Sequence, residues 1–472
     1  MVDPSFTAGT NDRVYCIVRQ PDGKLLIGGT FTEVNSVPCG RVARLHADGS
    51  LDATFNTGTG ATGPYSEVRA LALDADGKVL IGGTFTAVNG TAATNLARLN
   101  SDGTLDNTFI TGTGPNDEVR ALAVTADGYI WAGGSFTQYD GASASNIVRL
   151  NADGTVDASF QPVGTFGPQP SSSGSAVHDL AIRSSGAVLA VGNFGTFNGD
   201  THHNIIQFLA DGTVDPDFNT GSGASGGYHL RLDKVVSAPG GKVYIVGDFT
   251  DYNGVFRSRM ARLNEDGSLD TTFDPGAGPT EGPVSAGPIP ITCAALQPDG
   301  RLMIGGWFTT IVTTPIQRLA RILPTGVLDT TFDPGDGPVV TGSLNMANVY
   351  AITQLPDGDL IVGGEFATFD GAPHANLVRL QSNTGTGMEE TMFEGSTEVY
   401  PSPARDQLML RTTAPLHAGA QFELLASDGR TVLRTSITAQ QAIDVSGVDP
   451  GIYIWRCYRE GTSIAAGRVV IE

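Results

Sequence analysis

The sequence predicts an all-β protein, a seven-bladed β-propeller with four-stranded blades followed by a small immunoglobulin-like β-sandwich. Three observations carry the prediction. Hydrophobic residues are 40% of the 472, more than a disordered chain holds, and charged residues only 16%. With 62 glycines breaking the apolar stretches into short runs, the chain reads as many strands joined by turns. A single cassette recurs seven times up to residue 383, and the part that the seventh copy lacks stands at the N-terminus.

The cassette is clearest from Val68 to Phe109. A strand leads to Asp76-Gly77, and a second, apolar strand ends in Gly82-Gly83-Thr84-Phe85. An Asn89-Gly90 turn precedes Asn95-Leu96-Ala97-Arg98-Leu99, and Asp102-Gly103 turns the chain into Leu105-Asp106-Asn107-Thr108-Phe109. Tight Asp-Gly turns favour two-strand hairpins, so each copy yields four antiparallel segments, the content of one blade. The phenylalanine after the glycine pair recurs at Phe31, Phe85, Phe136, Phe194, Phe249, Phe308 and Phe366. A closing phenylalanine recurs at Phe6, Phe55, Phe109, Phe160, Phe218, Phe273 and Phe332. The seventh copy has no closing strand after Arg379-Leu380, whereas Val2-Asp3-Pro4-Ser5-Phe6 repeats the pattern of Val156-Asp157-Ala158-Ser159-Phe160. The N-terminus is therefore expected to complete blade seven and close the ring; an open solenoid would need capped ends.

The repeated residues have structural readings. The glycine pair, late in the second strand, suits a bulge or a close approach of neighbouring backbone. Gly58-x-Gly60-x-x-Gly63 meets the letter of a dinucleotide fingerprint but opens no helix, so it is read as a loop. Arginine precedes aspartate by eight residues in Arg44/Asp52, Arg98/Asp106, Arg149/Asp157, Arg262/Asp270 and Arg321/Asp329. A hairpin places such residues opposite one another, and Arg379 is expected to face Asp3. Arg98 also stands at the first ligand position of what would otherwise be a calcium loop, Asn100-x-Asp102-Gly103-x-x-Asp106, and a cation there opposes a second. Cys16 and Cys293 take the place of Ala70, Ala121 and Ala351 in other copies, which suits free, structural thiols.

Twenty-eight Lys and Arg against 49 Asp and Glu give a net charge of -21, which argues against nucleic acid or an anionic membrane as partner in the absence of a basic run. No stretch has the length of a membrane span. Val2, Asp3 and Pro4 follow Met1 without a basic region or apolar core, so either the protein is cytosolic or its leader is missing from this chain. Asp200, His202 and His203 lack a matching set of metal ligands, and the serines lack an evident base. No catalytic residue, metal or cofactor is assigned.

The cassette resembles the delta-60 repeat family of bacterial β-propellers over residues 2 to about 383. Blades four and five depart from the pattern at Gly192-Asn193 and Gly247-Asp248, and blade six at Pro315. Residues 1–383 are read as the propeller, 384–395 as a Gly/Thr and acidic linker, and 396–472 as a separate unit of short strands. That unit carries Val399-Tyr400-Pro401-Ser402-Pro403, Asp428-Gly429-Arg430, Pro450-Gly451-Ile452-Tyr453 and Gly467-Arg468-Val469-Val470-Ile471. These motifs resemble the type A C-terminal sorting domain of the type IX secretion system. The resemblance implies a sorting signal in Val399, Tyr400, Pro401, Pro403, Gly429, Gly451, Tyr453, Gly467, Arg468, Val469 and Val470. It further implies recognition by the outer-membrane translocon and a place outside a Gram-negative bacterium, secreted or on its surface. A leader, absent from this chain, is implied as well.

The Asp-Gly hairpins should lie on one face of the propeller and the longer, variable connections on the other, where binding usually resides. Candidate contacts on that face are Tyr65, Tyr139, Phe166, His202, His203, Tyr228, Tyr252, Phe256 and His374, residues equally suited to packing under the loops. The leading expectation is a binding protein that presents this face to a glycan or surface protein. The alternatives are a polysaccharide-acting enzyme with its site on the same face and a structural part of a surface assembly.

Overall fold

The structure is a computed structural model of the chain. It describes all residues except 161–164, 169–173, 281–290, 341–346, 383–396, 401–403, 413–420, 426–430, 438–441, 460–461 and 472, and gives backbone alone for parts of the C-terminal strands. The chain divides into two compact units, Met1–Asn383 and Thr384–Glu472. Among the described residues there is no α-helix, only one 3-10 turn at Pro239–Gly241, and no helix long and apolar enough to cross a membrane. The linker proposed at 384–395 lies outside the described residues.

The first unit is a ring of seven blades. Each has an inner, a middle and an outer strand in antiparallel order, such as Glu67–Leu73, Val79–Thr84 and Leu96–Leu99 in blade two. The inner strands pack side by side, and the first, Val14–Arg19, meets the seventh, Asn348–Gln354. The expected fourth strand is shorter than the sequence suggested: it is a single bridge, Leu99 with Leu105 in blade two, repeated as Leu45/Leu51, Leu150/Val156, Phe208/Val214, Leu263/Leu269 and Ile322/Leu328. After that bridge the chain bends into a turn in which Phe109 N–H donates to Asp106 O. Blade seven takes its bridge from the other end of the chain, Val2 with Leu380. Asp3 N–H donates to Arg379 O, and Gln381 N–H to Met1 O, both at 2.8 Å. Phe6, 2% exposed, packs with Phe31, Ile361 and Leu377 between blades seven and one. The core is thus a set of layers between neighbouring blades.

The arginine–aspartate pairs hold those layers together. Arg44–Asp52, Arg98–Asp106, Arg262–Asp270 and Arg321–Asp329 meet at 2.7–2.8 Å with both side chains largely buried, as do Arg149 and Asp157. Each guanidinium also lies over the closing ring, 4.7 Å from Phe109 and 5.3 Å from Phe273. Four of the five also reach the next blade: Arg44 donates to Ser101 O at 2.6 Å and Arg262 to Pro324 O at 2.7 Å, with Arg98 and Arg149 doing likewise to Ala152 O and Ala210 O. Arg379 faces Asp3 at 3.3 Å and Ala47 O at 3.3 Å, but its closer carboxylates are Asp359 at 2.7 Å and Asp357 at 2.6 Å, from the turn between the inner and middle strands of its own blade. Blade four has Gln207 in place of the arginine. There Gln207 donates to Asp215 at 2.5 Å, while Arg183, from the turn between inner and middle strands, reaches Gln207 and donates to Glu265 O of blade five at 2.9 Å.

The glycine pair has two separate tasks. A Cβ on the first glycine would meet the inner strand of the next blade: Gly82 faces Val119 at 2.6 Å, Gly305 faces Val349 at 2.6 Å, and Gly363 faces Val14 at 2.8 Å across the closure. A Cβ on the second would strike a carbonyl of its own inner strand, as Gly83 would strike Glu67 O. Blades four and five keep the second glycine, Gly192 and Gly247, and replace the first with Val191 and Val246. The departure therefore sits one residue earlier than the sequence pattern suggested.

The second unit has two sheets. One contains Thr397–Tyr400, Gln407–Thr412 and Ala442–Asp444; the other contains Thr431–Ser436, Gln421–Leu425, Gly451–Arg459 and Thr462–Ile471 in that spatial order. Leu408 and Ile443 from the first pack with Phe422, Leu424, Tyr453, Trp455, Val469 and Ile471 from the second.

Candidate functional site

Every inner strand carries a bulge near its start, at the end of the ring where the variable connections lie. Pairing with the middle strand skips one residue, between Val14 and Cys16, Val68 and Ala70, or Val119 and Ala121, and likewise in the other four blades. A bulged residue is left out of the ladder and re-aimed. The seven skipped residues are Tyr15, Arg69, Arg120, His178, Asp233, Thr292 and Tyr350. They are chemically diverse, whereas the residues before them are all aliphatic (Val14, Val68, Val119, Val177, Leu232, Ile291, Val349). Four of them, Tyr15, Arg69, Arg120 and Tyr350, line a hollow of about 170 Å³ in the central channel together with Asp179 and Lys234, over small or aliphatic side chains including Cys16, Ala70, Leu71, Ala121, Cys293 and Ile352.

The polar groups at this mouth are held by one another. Arg69 pairs with Glu67 at 2.6 Å and with Glu118, and Glu118 takes Arg120 at 2.6 Å. The Arg69 guanidinium lies 4.5 Å above the Tyr15 ring, which meets Tyr350 edge-on at 5.0 Å. Arg231 pairs with Asp233 at 2.9 Å, and the His178 imidazole lies 3.6 Å from the same carboxylate. Lys234 meets Asp179 at 2.7 Å, and Asp179 also accepts Val235 N–H at 2.9 Å. Burial would lower the Lys234 ammonium, but the Asp179 carboxylate raises it, so it carries its charge at neutral pH. Burial pushes Tyr350 up to about 12, which keeps its hydroxyl a donor, and pushes the Cys16 and Cys293 thiols up to about 12, which keeps them protonated and unreactive. Cys16, Cys39 and Cys293 are free thiols.

The loop residues singled out from sequence are dispersed. Tyr139 and Tyr252 are fully buried and donate their hydroxyls to Gly154 O and Gly267 O at 3.0 Å; Phe166 packs against Phe194 and Phe197. Those three are packing residues, which corrects their reading as surface contacts. Tyr65, Tyr228 and Phe256 are exposed, at 97%, 65% and 52%. His202, His203 and His374 are half-buried, and burial lowers all three, so they are neutral at pH 7. Among the described residues no three His, Cys, Asp or Glu side chains converge as a metal site. A larger hollow of about 840 Å³ between blades three and four is lined by Ala142, Ile147, Val148, Ala158 and Phe160 among others; among the described residues its charged lining group is Asp157, already held by Arg149.

Sequence reasoning also missed a second ring of small sheets on this face. Ala61–Thr62, in the connection leaving blade one, pairs with Ala87–Val88 of blade two, which pairs with Thr91–Ala92; equivalents recur at blades four to seven. The Asn89 side chain accepts Gly60 N–H at 3.1 Å, and Gly58 and Gly60 both adopt positive φ there. This latch is what the apparent dinucleotide fingerprint encodes.

In the C-terminal unit Val399 and Tyr400 lie in an edge strand, paired with Leu410 and Met409. Gly451 opens the strand in which Tyr453 is buried, its hydroxyl donating to Asp449 O at 2.7 Å. Gly467, Arg468, Val469 and Val470 lie in the last strand, opposite Trp455, Ile454, Tyr453 and Ile452, with Val469 buried. Pro401, Pro403 and Gly429 lie outside the described residues.

A family model described as a domain of unknown function (DUF5122) beta-propeller matches residues 20–55, 75–109, 125–160, 183–218, 239–273, 297–332 and 355–386. One described as a secretion system C-terminal sorting domain matches residues 398–472. No curated protein matches the sequence. Similar solved structures include the WD40 beta-propeller domain of Doa1, 14% identical over 79% of this chain and 95% of that one, TM-score 0.43. PorZ, a surface component of the type IX secretion system of Porphyromonas gingivalis, is 15% identical over 98% of this chain and 59% of its own, TM-score 0.43. The extracellular domain of the two-component system BT3049 from Bacteroides thetaiotaomicron is 12% identical over 98% of this chain and 55% of its own, TM-score 0.46.

Proposed function

The chain belongs to the DUF5122 beta-propeller family and ends in a type IX sorting domain, and from that premise we propose that it is an exported binding module whose ligand seats at the loop-side mouth of the central channel. As sorting-domain cargo it is secreted or displayed on the cell surface. The observation that carries the binding reading is the set of bulged residues. Seven repeats agree on the aliphatic residue before the bulge, yet at the bulge itself they supply tyrosine, arginine, histidine, aspartate and threonine. A repeat that keeps its core residue and changes the residue next to it, at the lumen, is a scaffold with a site on it. In this reading Tyr65, Tyr228 and Phe256 form an outer rim of contacts for a glycan or surface protein.

The test is a glycan array and a panel of surface proteins probed with the full chain. Arg69→Ala and Tyr350→Ala are expected to weaken whatever is bound by at least about tenfold, since buried central contacts dominate binding energy, while Tyr65→Ala changes it little. Binding lost in Tyr228→Ala or Phe256→Ala but unchanged in the channel variants would move the site to the rim. For the sorting half, residues 396–472 fused to a periplasmic reporter should reach the surface of a host with this secretion system; retention in the periplasm would overturn that role.

A further inference from the structure

We infer that the channel mouth recognises a small carboxylate, the sugar acid of an acidic glycan being the class that fits, an inference that rests on the binding reading above. Around the hollow, Arg69 and Arg120 face the lumen with 37% and 35% of their side chains exposed, while Glu67 and Glu118, 14% and 11% exposed, lie behind them outside the lining; Lys234, 39% exposed, lines the hollow beside its partner Asp179, which is 10% exposed. The carboxylates fix the guanidinium forks without covering them. In a chain of net charge -21, Arg69 and Arg120 thus keep guanidinium surface open to the lumen although each is paired with a carboxylate. Preorganised guanidinium groups favour planar, two-oxygen anions. The Tyr15 and Tyr350 pair adds hydroxyls and an aromatic edge, and the floor of Ala70, Ala121, Leu71 and Ile352 is apolar. A hollow of about 170 Å³ is the size of a single sugar ring and too small for a folded partner. A ring with one carboxylate, several hydroxyls and an apolar face matches each of these groups.

Calorimetric titration of the full chain with glucuronate, its uncharged methyl ester, glucose and an aspartate-terminated tripeptide tests this. Glucuronate should bind, more weakly as salt is raised, and the ester and glucose at least about tenfold less well. Arg120→Gln and Lys234→Gln should each reduce glucuronate affinity by about tenfold or more, while Arg120→Lys, which keeps the charge and loses the fork, falls between. Thermal unfolding of each variant, level with the parent, separates lost binding from lost folding; should Lys234→Gln unfold, the Arg120 pair of variants decides alone. Equal binding of glucuronate and its ester, or affinity unmoved in Arg120→Gln, overturns the inference. So does a preference for the tripeptide, or no binding of any of the four. In those cases a glycan captured on the array and lost in Tyr350→Ala would still uphold the binding module.

Discussion

Asp106 accepts three kinds of partner at once: Arg98 at 2.8 Å, Lys78 at 2.8 Å and the hydroxyl and amide of Thr108 at 2.6 and 3.0 Å. The burial of these pairs decides their energetics, because an exposed ion pair contributes only about 0–1 kcal/mol. Removing the carboxylate leaves the buried Arg98 guanidinium with only the longer contact to Asp74 at 3.5 Å, so Asp106→Ala should destabilise the propeller by about 3 kcal/mol in chemical denaturation. A loss under about 1 kcal/mol would mean the pair is solvated. Burial alone would raise Asp52, Asp106 and Asp270, yet their cation and hydroxyl donors hold all three well below the usual carboxylate range. Stability from such groups is complete above the unfolded value near 4 and is lost as pH falls through the folded value. Calorimetry should therefore give a level Tm from pH 7 to about 5 and a steep decline below about 4. Blade four offers a rescue test. Gln207→Arg places a second cation beside Arg183 and should lower Tm, and adding Arg183→Gln should restore most of it.

At the scale of the element, the two glycines of a pair predict different tolerances. Gly82→Val would drive a side chain into Val119 and Leu122, an overpacking cost of about 1–3 kcal/mol. Val191 and Val246 show how the fold accommodates that change: they share core layers with Val235 and Ala294, smaller than the leucines Leu122 and Leu180 that follow the glycines of blades two and three. Gly82→Val combined with Leu122→Ala should accordingly recover stability in denaturant melts. Gly83→Ala should have no such remedy, because the obstacle is the backbone carbonyl of Glu67; recovery by any side-chain change nearby would contradict this account. The strands themselves were legible because each is a short apolar run closed by Gly. The small loop-face sheets were not, since two residues per strand, as in Ala87–Val88, carry no period to read. Nor was the direction of Arg69 or Arg120, because it is set by the bulge that leaves each of them out of the ladder.

For the whole molecule, ring closure was legible because a missing segment and a surplus one share a pattern, and the structure joins them through Val2 and Leu380. Deleting residues 1–6 removes that bridge, the Asp3 contacts and the Phe6 side chain from the layer between blades seven and one. The truncated chain should melt lower and aggregate through the exposed edge at Leu377–Leu380; an unchanged Tm with a monodisperse profile by light scattering would speak against closure. The loop-face candidates were chosen by residue type, and type alone does not distinguish Tyr139, whose hydroxyl is satisfied inside, from Tyr65, which is bare.

The latches of the second ring have a consequence for how such a protein can change. Each connection is pinned to the next blade by a short strand or, at Thr10 and Pro115, by a single bridge, and the stretch between that point and the next inner strand varies in length from three residues at 116–118 to ten at 281–290. Those stretches lead straight into the bulged ends of the inner strands. Insertions there would enter the chain next to the bulged residues while leaving the load path around the ring untouched, which makes the fold a chassis whose lumen-side residues can be changed one blade at a time.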